Sequence, residues 1–286
     1  MVNIFERKKD GTLPFKTTSN RKTPCDKPDG LPIMQSQVSQ SVGKVRNHNE
    51  DAVFSVIHEI PSPVKRQTFG LFMIADGMGG HLDGEVASSL AVKIASNHLL
   101  TYLYEPLCLG HPPFTDEEIE AELDHAMHAA QEAVVTQVAG GGTTLTLALV
   151  LNCMLYFAHV GDSRLYLMTG NGPLQVLTKD HSLVRRLVDL GQISQQEAAS
   201  HPQRNVLFRA VGQVEGFKAD LGHLELTAKS TLLLCSDGLW GLVNEAAITS
   251  KLEKTRRSEG IAQELINAAN HAGGTDNISV IIVTIS

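Results

Sequence analysis

The apolar positions of this chain change period several times, and each change predicts an element. Residues 51–57 and 69–75 are short apolar, β-rich runs and predict strands, with Ile60-Pro61-Ser62-Pro63 as the loop between them. From Gly84 to about Leu103 the spacing turns helical through Val86, Leu90, Ala91, Ile94 and Leu99. A loop rich in Gly and Pro follows. Thr115 then reads as an N-cap and Asp116-Glu117-Glu118 as an acidic first turn, opening a helix to about Val138. Gly140-Gly141-Gly142 ends it. Strands are expected over 143–151, 154–160, 164–168 and 174–177, with Gly170-Asn171-Gly172 as a hairpin signal. Residues 181–212 are more polar and partly helical, with an apolar stripe of Leu183, Leu187, Val188 and Leu190. Thr231 to Cys235 predicts a buried strand, 244–254 and 259–271 predict helices, and Ile278 to Ile285 a closing strand. Residues 1–35 carry no period and are expected to form a flexible tail, leaving 36–286 as the folded domain. Strands in antiparallel-looking runs with helices grouped in pairs indicate an α+β layered domain rather than regular βαβα alternation.

Composition narrows the functions. Twenty-four basic against 31 acidic residues give a net charge of −7, which argues against a nucleic-acid face. No apolar run approaches the roughly 18–20 residues of a membrane span, and residues 1–32 lack the apolar core of a signal peptide. Cys25, Cys108, Cys153 and Cys235 are widely spaced and form no CxxC pair. Neither structural zinc nor a disulfide framework is expected, and a reducing cytoplasm fits. The histidines form no HExxH or HxxxH cluster and read as solvated or locally satisfied.

Four acidic motifs carry the chemistry: Arg46-Asn47-His48-Asn49-Glu50-Asp51, Asp76-Gly77-Met78-Gly79-Gly80-His81, Ser236-Asp237-Gly238 and Gly274-Thr275-Asp276-Asn277. Each sets a carboxylate beside a strand-like apolar run. Carboxylates at buried strand ends are costly without a cation among them. Oxygen-only ligation suits Mg²⁺ or Mn²⁺, and the Gly77 carbonyl is a further oxygen donor. One Asp-Gly after a strand is ordinary turn chemistry; four acidic strand ends together are harder to explain that way. Gly161-Asp162-Ser163-Arg164 reads either as a hairpin corner with an Asp–Arg pair or as a further acidic ligand. Arg46 is either a salt-bridge partner of Glu50 and Asp51 or a fork for phosphate. No convincing Ser/His/Asp or Cys/His nucleophile set is present, which favours metal-activated water.

In order and spacing, these motifs resemble the metal-dependent serine/threonine protein phosphatases of type 2C, in their compact bacterial form. The resemblance covers about 36–286 through Val45–Asp51, Ala75–Ala87, Gly142–Thr146, His159–Arg164, Leu177–His181, His201–Arg209, Leu234–Gly238 and Gly274–Val280. It implies a central antiparallel β-sandwich of two sheets flanked by helix pairs, four layers in all. It implies two Mn²⁺ or Mg²⁺ ions at one end of the sandwich and hydrolysis of phosphoserine or phosphothreonine by a metal-bridging hydroxide. By motif match, Asp51 and Asp76 contact the metals, with Asp76 bridging. The Gly77 carbonyl binds one ion, Asp237 and Asp276 the other, and Glu50 acts through water. Arg46 holds the phosphate, and His81 is the candidate acid for the leaving alkoxide. Residues 181–212 resemble the flap beside the active site, with Arg204 a candidate substrate contact.

One position departs from the family. Many relatives carry an Asp four residues beyond the Asp-Gly aspartate, where this chain has Gly241. Asp162 would ligate a weak third metal, and that third site is left one ligand short. The expected partners are phosphorylated proteins, in opposition to a Ser/Thr kinase, with the enzyme a cytoplasmic monomer. Two alternatives remain at this point: a pseudophosphatase that binds partners through the same fold, and a metal-dependent hydrolase of small phosphomonoesters.

Overall fold

Two antiparallel sheets, packed face to face, carry the apolar runs of the sequence. The computed structural model describes residues 32–60, 67–79, 82–213, 216–254 and 259–286. In chain order the strands are β1 (Met34–Ser41), β2 (Asp51–Ile60), β3 (Gln67–Met78), β4 (Gly142–Thr143), β5 (Leu145–Leu151), β6 (Met154–Val160), β7 (Arg164–Thr169), β8 (Leu174–Val176), β9 (Asp220–Glu225), β10 (Ser230–Cys235) and β11 (Ile278–Ile285). The helices are α1 (Leu82–Leu99), α2 (Glu105–Cys108), α3 (Asp116–Gln137), α4 (Leu183–Asp189), α5 (Gln195–Ser200), α6 (Asp237–Trp240), α7 (Glu245–Leu252) and α8 (Ile261–His271). One sheet runs β1-β11-β10-β7-β8; the other runs β2-β3-β5-β6-β9, with β4 paired to β3.

Three apolar clusters separate the layers. Leu71, Met73, Leu145, Leu147 and Leu149 face α1 and α3. Phe72, Ile74, Ala148, Val150, Leu232 and Ile281 fill the space between the sheets. Leu233, Val280 and Ile282 pack against α7 and α8 through Ile248, Leu265 and Ile266. This explains why β5 is apolar on both faces: it has a helix layer on one side and a sheet on the other. Because side chains alternate along a strand, odd and even positions serve different layers. The expected four-layer αββα arrangement is therefore present.

Local chemistry sets the helix ends. Thr115 Oγ1 accepts from Glu118 N at 3.2 Å, and Glu118 Oε2 accepts from Thr115 N at 2.8 Å. This capping box starts α3 and stabilises it by about 1 kcal/mol. Ser194 and Glu197 form the same box at α5, and Asn244 caps α7 through Ala247 N.

The sequence pattern misses two strands, β1 and β9. Both are edge strands, paired on one side only, so few of their residues are buried and the alternation is weak. β1 also moves the domain boundary: Met34 and Gln35, expected in the tail, pair with Ile285 and Thr284. Residues 1–31, His81 and the Pro61–Pro63 loop lie outside the described residues. The expected helix to Leu103 divides into α1 and a π-helical stretch, Leu100–Tyr104. Cys108 and Cys235 are free thiols. Cys153 is disulfide-bonded, against expectation; pairing of this kind is not readable from spacing. No described helix is long and apolar enough to cross a membrane.

Candidate metal centre

In antiparallel sheets the start of one strand lies beside the end of its neighbour. That geometry gathers the acidic motifs. Asp51 opens β2 and stands directly opposite Asp76 near the end of β3. Asp237 follows β10, and Asp276 precedes β11, in the facing sheet. Asp162 sits between β6 and β7. Arg46, Glu50, Asp76, Gly77, Asp162, Asp237 and Asp276 line a cavity of about 200 Å³, which Thr144, Asn205 and Leu207 complete.

A shell of small polar side chains holds the carboxylates. Asp51 Oδ2 accepts from Ser236 Oγ at 2.9 Å and from Ser279 Oγ at 2.6 Å, tying the two sheets together at this end. The Asp76 backbone N donates to Thr144 Oγ1 at 2.9 Å. Glu50 N donates to Asn277 Oδ1 at 2.8 Å, and Asn277 Nδ2 donates to the carbonyls of Val42 and His48. Backbones also approach closely. A Cβ on Gly77 would lie 2.2 Å from the Gly84 carbonyl oxygen, and one on Gly238 would lie 2.0 Å from that of Asn277. Only glycine fits at either position.

The site is electrostatically unfinished. Burial pushes Asp51 up to about 7, against its bonds from Ser279 and Ser236 and with help from Asp237 and Asp276. Burial and Asp276 push Asp237 up to about 6, partly offset by a hydrogen bond with Asp76. Asp76 is driven well above the carboxylate range by burial and by Asp51, Asp237, Asp162 and Asp276. Asp162 is driven up by burial, then by Asp237 and Asp180. Asp51 Oδ1 and Asp237 Oδ1 are buried with no hydrogen-bond partner among the described residues. Orphaned buried carboxylate oxygens within an all-oxygen set fit hard divalent cations. The residues present therefore suit the expected Mg²⁺ or Mn²⁺.

Arg46 takes the salt-bridge role, with Asp276 as its nearer partner and Glu50 as the farther. Its Nη2 lies 2.9 Å from Asp276 Oδ2 and its Nη1 3.9 Å from Glu50 Oε2, while 46% of its side chain stays exposed at the cavity. Asp162 does not form the hairpin-corner pair. Arg164 instead forks onto Asp180 at 2.9 and 2.7 Å and stacks 3.7 Å from the centre of the Trp240 ring. Trp240 Nε1 donates to the Asp162 carbonyl at 3.0 Å, so the Asp162 carboxylate is left for the cavity. At Gly241 a Cβ would lie 2.8 Å from the Asp237 carbonyl oxygen, so an aspartate there would need a local shift. Arg204 lines a second, adjoining cavity of about 420 Å³ between the flap and α6–α7, which shares Asp162, Asn205, Asp237 and Asp276 with the first.

The sequence motifs include Ser236 and Asn277 only as neighbours of Asp237 and Asp276, and they assign no role to Thr144, Ser279 or Asn205. For Ser236 the signal was present, directly before Asp237. Asn277 likewise stands directly after Asp276, whereas Thr144 and Ser279 are short polar residues whose partners lie far off in sequence.

Known proteins carry the same architecture. Residues 46–271 match the family described as protein phosphatase 2C. The serine/threonine phosphatase stp of Listeria innocua is 36% identical over 258 residues, 87% of this chain and 95% of that protein. The crystal structure of the Mycobacterium tuberculosis serine/threonine phosphatase PstP/Ppp superposes with a TM-score of 0.73 at 34% identity, covering 89% of this chain and 99% of that one. A structure of the PstP catalytic domain in complex with two manganese ions gives a TM-score of 0.72 at 33% identity, with coverage of 89% and 99%. With this match over most of its length and the acidic strand ends in place, the chain belongs to the protein phosphatase 2C family of serine/threonine phosphatases.

Proposed function

We propose that the acidic end of the sandwich hydrolyses phosphoserine and phosphothreonine in protein substrates with two bound Mn²⁺ or Mg²⁺ ions. The observation that carries this reading is the pair of buried carboxylate oxygens, Asp51 Oδ1 and Asp237 Oδ1, that lack a partner among the described residues. Asp51 and Asp76 would contact the ions, with Asp76 shared between them; the Gly77 carbonyl would hold one ion, and Asp237 and Asp276 the other. Glu50 would act through water, and Asp162 would serve a weak third site. When bound, such ions neutralise phosphoryl oxygens and acidify a water for in-line attack on phosphorus.

The chain's own groups do the positioning. Ser236 and Ser279 fix the Asp51 carboxylate, and Asn277 fixes the Glu50 backbone. Arg46, half exposed, offers the phosphate a planar fork and would exchange part of its Asp276 contact for it. His81 is assigned to protonate the leaving alkoxide. The adjoining 420 Å³ cavity, with apolar Val184, Val188 and Leu242 beside Arg204, favours a polypeptide over a small phosphomonoester. Full retention of the core carboxylates favours an enzyme over a partner-binding pseudophosphatase. We read the enzyme further as a cytoplasmic monomer that opposes a Ser/Thr kinase; cell fractionation and sedimentation test the first two points.

The test is phosphate release from a phosphothreonine peptide, with Mn²⁺ and with EDTA, for wild type and Asp237→Asn. Activity that needs Mn²⁺ and collapses in the variant is expected. Metal-dependent activity that survives the substitution would move the site elsewhere.

A further inference from the structure

Away from the acidic end, the face where α1 packs on α3 gathers His98, Glu122 and His125. His98 Nε2 lies 2.7 Å from Glu122 Oε2, and His125 Nδ1 lies 3.5 Å from Glu122 Oε1. The three ligand atoms lie within 4.8 Å of one another. We propose that these side chains form a separate metal site that takes a borderline divalent transition ion, zinc above all.

The donor set decides the class of ion. Two imidazole nitrogens and one carboxylate are a zinc set with a position left for water, whereas oxygen-only sites suit Mg²⁺ and Mn²⁺. The spacing agrees. Zinc–ligand bonds near 2.0–2.1 Å put tetrahedral ligand atoms roughly 3.3–3.4 Å apart. The His125 separation from Glu122 Oε1 already stands close to that value, and the His98 contact with Glu122 Oε2 needs to open by about 0.6 Å to reach it, so each imidazole faces its own carboxylate oxygen. To ligate, His98 presents an unprotonated Nε2; its hydrogen moves to Nδ1 or leaves to solvent.

The arms are largely preset. Glu122 and His125 are three residues apart and share one face of α3. His98 stands in the last turn of α1, and the ring of Tyr102, from the π-helical stretch that follows, lies 4.6 Å from its ring. The His98 and Glu122 side chains are 18% and 24% exposed, so solvent does not dominate them; His125, at 62%, is the arm free to swing in. Neighbouring pairs supply the contrast. His128 meets Asp124, and His223 meets Glu120 and Asp116, but among the described residues neither pair brings in a second imidazole. Those are ordinary surface ion pairs.

Bound there, an ion would pin α1 to α3. The other end of α1 walls the catalytic centre, where Gly84 packs on Gly77 and Glu50. The separation along the helix from Gly84 to His98 is about 21 Å at 1.5 Å per residue, so the site would stabilise the scaffold without touching the reaction.

The experiment titrates Zn²⁺, and Co²⁺ as a spectroscopic probe, into the full chain held in Mg²⁺. It compares Asp237→Asn with the same protein further carrying His98→Gln and His125→Gln. Asp237→Asn is expected to keep one Zn²⁺ equivalent that the triple variant loses, with affinity down at least 100-fold. Visible Co²⁺ bands of a nitrogen–oxygen site are expected in the first protein and absent from the second. Zn²⁺ is expected to raise the thermal midpoint of the first by roughly 5 °C, and that of the second not at all. With the catalytic carboxylates intact, His98→Gln/His125→Gln is expected to keep its Mn²⁺-dependent turnover. Should the double substitution impair folding, the exposed His125→Gln alone serves in its place. Equal Zn²⁺ stoichiometry and affinity in the two proteins, an ion-paired cluster only, would overturn the proposal.

Discussion

Two buried polar clusters lie close together at one end of the sandwich, and they are built oppositely. Around Asp51, Asp76 and Asp237, like charges are buried together, and two carboxylate oxygens have no partner among the described residues. Around His159 and His181, every ring nitrogen has a polar neighbour. His159 Nδ1 meets Thr146 Oγ1 at 2.8 Å, and Nε2 meets the Lys179 carbonyl at 3.2 Å. His181 Nδ1 accepts from Gly161 N at 3.1 Å, and Nε2 lies 3.3 Å from Asp220 Oδ2. Burial first, then His181, holds His159 down to about 3, so it stays neutral. A satisfied cluster anchors the base of the flap, where Phe208 N also bonds the His181 carbonyl. An unsatisfied cluster is incomplete without something from solution. A buried polar group is thus informative about function in proportion to what it lacks.

The largest expected effect is on the unsatisfied side. Asp237→Asn should lower Mn²⁺-dependent turnover by at least about 10³-fold, equivalent to roughly 4 kcal/mol of barrier. In EDTA the same variant should melt several degrees higher than wild type, because it removes a buried ionisation. A variant less stable without metal would break the contrast. On the satisfied side, His159→Leu should cost about 2–4 kcal/mol by stranding Thr146 and the Lys179 carbonyl, read as a fall in the denaturation midpoint.

Arg46→Ala comes next. If the guanidinium serves phosphate, KM should rise by about 10–50-fold with a smaller change in kcat, in line with 1.5–3 kcal/mol for a charge-assisted bond. A fall in stability with KM unmoved would instead make Arg46 a counter-ion of Asp276 only.

The smallest effect is in pH, and it has opposite signs in the two clusters. Asp51 and Asp237 are raised from 3.8 to about 7 and about 6 in the fold. The folded state then binds more protons, so their contribution is fully present below about pH 4 and is lost as pH rises through 6–7. His159 is lowered from 6.5 to about 3. Its contribution is present above about 6.5 and is lost as pH falls towards 3. Thermal midpoints of the metal-free protein between pH 4 and 8 should show Asp237→Asn flattening the neutral side and His159→Leu the acid side. Curves parallel to wild type in both variants would remove this distinction.

Much of the site was readable before any coordinates. Asp51, Asp76, Asp237 and Asp276 stood out because an acid beside an apolar run is costly wherever the run is buried. Asp162 was ambiguous, since sequence adjacency suggested Arg164 as its partner. The fold gave Arg164 to Asp180 instead, 16 residues away. Ser279 went unnoticed because its partner Asp51 is 228 residues distant. The edge strands β1 and β9 were missed because one-sided pairing leaves little apolar pattern to read.

The amino-acid sequence by itself determined the element types of the buried strands and long helices, the capping of α3, and the identity of the acidic ligand candidates. These follow from local period, local hydrogen bonds and the cost of burying charge. The tertiary structure decided which carboxylates share a cavity, which are left without partners, and where Arg46 and Arg164 direct their charge. It also brought His98 of α1 against Glu122 and His125 of α3, where the sequence showed only separate histidines. Antiparallel pairing and helix packing place residues by distance in space, and separation along the chain carries almost none of that information.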